Sequence, residues 1–170
     1  NEIGPDVNDA VIAGGFGNVV RGFLGAIGGG AAGEIQPVGY AAVIAGGFQN
    51  TNAGQYATIG GGYQNSVSNT AATIGGGGAN FAGPYATVGG GFFNIASGAF
   101  STIAGGGNNA AACQYSFAAG FVARALHDGS FVWADSSSGL HFPSTATNEF
   151  SVRATGGARF VTSGAGLTLD

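Results

Sequence analysis

The residues able to do chemistry are few and sit late in the chain. His127, Asp128, Asp135 and His141 fall within one short stretch, and imidazole and carboxylate groups are ordinary ligands of divalent metals. Their spacing matches no recognised ligand pattern, so solvated turn residues are the expectation. Gly60-Gly61-Gly62, Gly75-Gly76-Gly77 and Gly89-Gly90-Gly91 offer the bare backbone N–H groups that a phosphate cradle uses. Aromatic residues and Asn follow them, with no Lys and no helix, so these triplets read as structural turns. Serines are plentiful, but no Gly-x-Ser-x-Gly elbow supports a Ser-His-Asp triad. Arg153 and Arg159 are expected to pair with Glu149, Asp135 or a neighbouring chain. Cys113 is the single cysteine; it cannot form an internal disulfide and reads as a small apolar residue. The expectation is therefore a protein that is not an enzyme, with no catalytic residue, no cofactor and no metal.

Composition says what such a chain is instead. Of 170 residues 36 are Gly, yet only 4 are Pro and glycine has no period of three, which excludes collagen. A hydrophobic content of 45% argues against disorder. Charged residues make up 7%, Lys is absent, and nothing between Glu34 and Arg124 carries a formal charge. A surface so poor in charge fits one that faces other copies of the chain. The net charge of −4 leaves no electrostatic footprint for nucleic acid. Polar residues and Gly interrupt every apolar run before it reaches membrane-spanning length. With Asn1 first, the chain reads as a processed or excised fragment.

One phrase returns along the chain. Ala57-Thr58-Ile59-Gly60-Gly61-Gly62 recurs as Ala72-Thr73-Ile74-Gly75-Gly76-Gly77, as Ala86-Thr87-Val88-Gly89-Gly90-Gly91, and as Ser101-Thr102-Ile103-Ala104-Gly105-Gly106. The central aliphatic residues are Ile12, Ile27, Ile44, Ile59, Ile74, Val88 and Ile103, with Phe117 as an eighth, so the steps are 14 to 17 residues. A repeat this short and regular describes stacked coils. Asn stands six places after six of these residues, at Asn18, Asn50, Asn65, Asn80, Asn94 and Asn109. Strand alternation puts the Ile column and the small residue two places before it inside, and the Thr column outside. The small apolar residue eight places on (Val20, Val67, Ala82, Ala96 or Ala111) marks a second, shorter strand. Aromatics precede the Ile column (Phe23, Tyr40, Tyr56, Tyr85, Phe100) and follow it (Phe16, Phe48, Tyr63, Phe92).

Residues one coil apart would sit about 4.8 Å apart, so like side chains form ladders: aliphatics inside, aromatics along an edge, Asn amides at a turn, each donating to the carbonyl above. Helix is excluded over 10–120, because each Gly costs a helix about 1 kcal/mol. A coil with a perimeter of roughly 48 Å holds little more than one row of Ile and Ala. Backbone ordering costs about 1–2 kcal/mol per residue, which a single thin row does not offset. An obligate oligomer follows, most simply around a shared axis.

Coils of this length carrying Ala-Thr-Ile-Gly-Gly-Gly and Asn-x-Ala-x-Gly (Asn94-Ile95-Ala96-Ser97-Gly98) resemble the head domain of trimeric autotransporter adhesins, over residues 8–123. The resemblance implies a homotrimer of left-handed parallel β-rolls at the cell surface, with surface glycans or matrix proteins as targets. The fold class expected is thus all-β: a parallel β-solenoid of about eight coils over 1–123, followed by a small β-strand cap or neck over 124–170. A two-residue insertion at Gly33-Glu34-Ile35-Gln36-Pro37 is expected to bulge outward. In the tail, residues 131–135, 148–154 and 158–162 are predicted strands, the last two a hairpin about Gly156-Gly157. Phe131, Trp133, Phe150, Val152 and Phe160 are expected to face inward. This tail resembles the stretch before the chaperone domain of bacterial and phage fibre proteins. The function expected is a structural or adhesive segment of a trimeric extracellular fibre, capable of end-to-end assembly, with no nucleic acid and no membrane span. Alternatives are a phage tail-fibre segment and an ice-binding solenoid using Thr58, Thr73, Thr87 and Thr102.

Overall fold

The structure is a computed structural model and describes residues 1–161, 164 and 166. The chain winds as a parallel β-solenoid of about ten turns, with no helix among the described residues. Each turn contributes one short strand to each of two ten-stranded sheets. One sheet stacks the repeat phrase, running from Val11–Ile12 through Thr58–Ile59, Thr73–Ile74 and Thr87–Val88 to Phe150–Arg153. We call it the isoleucine sheet. The other, the asparagine sheet, stacks the strand that follows each Asn, from Glu2–Ile3 through Ser66–Val67 and Phe81–Ala82 to Phe142–Pro143. Every pairing is parallel, with Ile59 on Ile74 and Ile74 on Val88, and the register shifts once, by one residue between Ile103 and Gly106, where Thr102–Gly107 meets Phe117–Phe121.

The core lies between the sheets and is one residue wide on each side. Ile27, Ile44, Ile59, Ile74, Val88 and Ile103 are fully buried from the isoleucine sheet, with Ile12 half-buried at the open end. Val20, Ile35, Val67, Ala82, Ala96 and Ala111 meet them from the other side, with Ala42, Ala57, Ala72 and Ala86 closing the corner. Facing rows of large and small residues fill a narrow interior. Asn52 takes one place in this core and satisfies itself there. Its Nδ2 donates to the Val43 and Ala57 carbonyls at 3.1 and 3.0 Å, and its Oδ1 accepts from the Gly54 N–H at 3.1 Å.

Four expectations are corrected. The turns number about ten, not eight, because the strands at Ala123–Ala125, Phe131–Ala134, Phe142–Pro143 and Phe150–Arg153 join the same two sheets. The eighth core position is Ala118, which pairs with Ile103, while Phe117 pairs with Thr102 in the outward column. The insertion is displaced: Glu34–Ile35 is a regular strand, Ile35 is buried, and the extra residues form the turn after it, where the Gly39 N–H donates to the Gln36 carbonyl. The tail faces the other way. Val132, Ala134 and Ser151 point inward, while Phe131 and Phe150 continue the outward Thr file, Trp133 and Val152 stack on Ala119 in a second outward file, and Phe160 is exposed. Ala158–Val161 form no strand, so the hairpin at Gly156-Gly157 is absent; its residue 162 lies outside the described residues. Register explains the reversed face. Once Phe131 stacks on Phe117 with ring centroids 4.6 Å apart, alternation sends Val132 into the core.

Candidate functional site

Three columns run along the repeat coils, and each is set by the turns. Each coil reverses at two edges, and at each a single non-glycine residue adopts the left-handed conformation. Tyr56, Ala71, Tyr85, Phe100 and Tyr115 do so at one edge with φ of 52–58°, and Gln64, Ala79, Phe93 and Asn108 at the other with φ of 51–55°. Such residues cost about 1–2 kcal/mol each. The coil-to-coil bonds that they make offset this: the Tyr56 N–H donates to the Tyr40 carbonyl at 2.8 Å, and the Gln64 N–H to the Phe48 carbonyl at 2.9 Å.

The first column is the asparagine ladder. Asn18, Asn50, Asn65, Asn80, Asn94 and Asn109 are all buried. The amides do not form the simple amide-to-amide chain expected. Asn80 Nδ2 donates to two backbone carbonyls, Gly76 of its own coil at 3.0 Å and Gly91 of the next at 2.9 Å. Its Oδ1 accepts the backbone N–H of Asn94 at 3.0 Å. Each side chain thus rivets two adjacent glycine turns together, and only Asn109 adds a direct bond to the Asn94 amide, at 3.1 Å. Sequence reading missed one rung, Asn1, whose Oδ1 accepts from the Asn18 N–H and whose Nδ2 reaches the Gly14 and Gly15 carbonyls. The signal was available as an Asn one coil before Asn18.

One rung is missing. Gly33 occupies the ladder position between Asn18 and Asn50; it donates its N–H to Asn18 Oδ1 at 2.9 Å but has no amide to pass on. A Cβ there would meet Asn18 Oδ1 at 3.1 Å, an approach that a shift of a few tenths of an ångström relieves. Gly33→Asn is expected to complete the ladder and to stabilise the rod by about 1 kcal/mol. Thermal denaturation should show the midpoint rising by roughly 2–4 °C.

The second and third columns are aromatic and lie on opposite edges. Beside the glycine turns stand Phe16, Phe48, Tyr63, Phe92 and Phe93, all exposed, with Phe48 stacked on Tyr63 at 5.8 Å. At the other edge stand Tyr40, Tyr56, Tyr85, Phe100 and Tyr115, also exposed. Tyr85, Phe100 and Tyr115 form a continuous stack with centroids 4.8 and 5.3 Å apart and planes within 10°. The edges differ in chemistry. The glycine-turn edge is phenylalanine-rich, whereas the opposite one holds four of the five tyrosines.

The residues that could do chemistry are dispersed among separate partners. His127 Nδ1 lies 2.8 Å from Ser144 Oγ, and His141 Nε2 lies 3.0 Å from the Arg124 guanidinium, where desolvation holds the Arg124 pKa below its ordinary value. Asp128 accepts the Gln114 N–H at 2.9 Å. Among the described residues no three His, Cys, Asp or Glu side chains gather as a metal site. Cys113 is half-buried and its thiol donates to the Leu126 carbonyl at 3.1 Å.

Arg153 fastens the last coils. It pairs with Asp135 at 3.3 Å, donates to the Asp135, Ser138 and Leu140 carbonyls, and lies over the Phe142 ring. The expected pairing with Asp135 is therefore present, while Glu149 serves another end: it accepts from the Ser151 and Thr145 hydroxyls and from the Thr145 and Ala146 N–H groups. The Ser151 hydroxyl and these N–H groups hold the Glu149 carboxyl down to about 2. The Ser137 hydroxyl, then Thr155, hold Asp135 well below the usual carboxylate range.

A carboxylate with a lowered folded pKa binds fewer protons folded than unfolded. Its stabilisation is complete above its unfolded value, roughly 4, and is lost as the pH falls through the folded value. Hydrogen exchange between pH 5 and pH 2 should therefore show protection falling at residues 131–153. The coils between Glu34 and Arg124, which hold no charged residue, should show no such loss.

Fold and ladders together define the class: a parallel β-solenoid whose repeated side chains stack as an amide ladder inside and aromatic ladders outside. No family model matches the chain, and no curated protein matches it in sequence.

Proposed function

We propose that this chain is a structural and adhesive segment of an extracellular fibre and not an enzyme. Three copies wind as left-handed rolls about a shared axis. The observation that carries this reading is the pairing of a core one row wide with two exposed aromatic edges. Phe16, Phe48 and Phe92 are 83%, 45% and 51% exposed in the single chain, and an apolar file of this length is characteristic of a surface that another protein covers. The phenylalanine edge packs between sister copies, and the tyrosine edge, with its hydroxyls, faces outward toward a surface glycan or matrix protein. The near absence of charge over 35–123 supports close packing of identical copies, since no like charges oppose one another. Light scattering should return three times the 16.4 kDa chain mass, and Phe48→Ser with Phe92→Ser should lower it. A wild-type monomer would overturn the reading. A phage tail-fibre segment is the same architecture in another setting. The in-register file Thr58, Thr73, Thr87 and Thr102 is the one feature favouring ice binding. It is a single file ended by Val43 and Phe117, and a lack of thermal hysteresis would dispose of it.

A further inference from the structure

We propose that the tyrosine edge carries a subsite for one neutral pyranose ring, at the place where Ala71 interrupts the aromatic column between Tyr56 and Tyr85. The inference deepens the adhesive reading above and rests on it.

The geometry follows from the stacking period. Tyr56, Ala71 and Tyr85 occupy the same left-handed position in successive coils, with φ of 56°, 52° and 54°. The two tyrosines are therefore two coils apart, about 9.6 Å at the spacing of hydrogen-bonded strands. Ala71 between them is exposed and contributes only a methyl group. A flat ring lying on Ala71 would sit one level, about 4.8 Å, from Tyr85, the separation that the chain itself uses between Tyr85 and Phe100, 4.8 Å, with Tyr56, which meets Tyr40 edge to face at 74°, one level away on the other side. Tyr85 gives one face to Phe100, so its other face is turned toward the vacant step.

Beside the column, on the side of the step toward Tyr56, lies a cleft of about 150 Å³ lined by Val38, Ala53, Gln55, Ser68, Asn69 and Thr70. Gln55 directly precedes Tyr56, and Asn69 and Thr70 directly precede Ala71. The displaced turn after Ile35 supplies the overhanging Val38. Asn69 accepts the Thr70 N–H at 2.9 Å on its Oδ1, which leaves its amide nitrogen to donate. Amides and hydroxyls can both donate and accept, as sugar hydroxyls require, and aromatic faces take the apolar C–H face of a pyranose. No charged residue lies between Glu34 and Arg124, so an acidic sugar finds no cation here.

Saturation-transfer NMR on the assembled protein tests this, with maltotriose, cellotriose and N-acetyllactosamine as neutral probes and trigalacturonate as the acidic one. At least one neutral probe should receive saturation, and trigalacturonate should bind no more strongly. Ala71→Tyr fills the step with a residue that the flanking coils already hold in the same conformation. It should cut neutral binding at least tenfold while leaving the mass and the thermal midpoint unchanged; Gln55→Ala should weaken binding less. Failure of all three neutral probes, preference for trigalacturonate, or undiminished binding by a folded Ala71→Tyr would overturn the subsite. A trimer that ignores neutral sugars removes the subsite and keeps the fibre, whereas a monomer that binds them removes the fibre and keeps the subsite.

Discussion

Gly91→Ala is expected to abolish the cooperative fold, while Gly76→Ala, in the equivalent triplet one coil earlier, leaves it intact. Gly91 sits at φ +91°, and a Cβ there would stand 2.0 Å from the Gly106 carbonyl oxygen of the next coil. That oxygen accepts the Phe92 N–H at 3.0 Å, so it cannot retreat without breaking the stack. A clash with fixed backbone and a strained φ together cost on the order of 5 kcal/mol, comparable to the whole stability of many domains. At Gly76 a Cβ meets nothing within 4 Å, and φ lies outside the left-handed region. Its replacement should shift stability by less than about 0.5 kcal/mol, or raise it slightly by restricting the unfolded chain. Urea denaturation followed by circular dichroism separates the two. Equal effects would mean that the triplets are uniform spacers and not turns with one obligatory position.

The second large effect belongs to the ladder. Asn80→Ala removes the acceptor of the buried Asn94 N–H and the donor to the Gly76 and Gly91 carbonyls. The Gly91 carbonyl keeps the Gly78 N–H at 2.9 Å, which leaves the Asn94 N–H and the Gly76 carbonyl without these partners; each buried polar group left unpaired costs about 1–3 kcal/mol, so a loss of roughly 2–5 kcal/mol is expected. Asn69→Ala, at an exposed turn, should change stability by no more than about 0.5 kcal/mol. Because each coil touches only its neighbours, the Asn80 defect should be local. Hydrogen exchange should quicken in the coils holding Asn80 and Asn94, and less in those toward the C-terminus.

What could be read without coordinates was whatever repeats by kind. Ile59, Ile74 and Ile103, or Asn65, Asn80 and Asn94, announce their column because stacking rewards the same side chain at each level. Where the column changes residue type, the signal fails. Ala118 replaces Ile at the eighth level, and the larger Phe117 beside it drew the assignment one place off. In the tail, strict alternation shows two faces without saying which is inner, and hydrophobicity alone points the aromatics into the core. The register with Phe117 decides otherwise. The left-handed turns at Tyr56, Gln64 and Tyr85 were invisible for another reason: these types seldom adopt that conformation, and only the stack above and below imposes it. The step at Ala71 was likewise hidden, since its meaning comes from the tyrosines on either side.

The parallel register has a mechanical corollary. Bonds between levels, such as the Thr73 N–H to the Ala86 carbonyl at 2.9 Å, lie along the rod and not across it. Tension applied to the two ends loads them one level at a time, like a zipper opened from its tab. Each level that opens releases about 48 Å of slack for a turn of some fifteen residues, while the levels behind it stay closed. A fibre made this way would lengthen in even increments under drag and rewind when the pull relaxes.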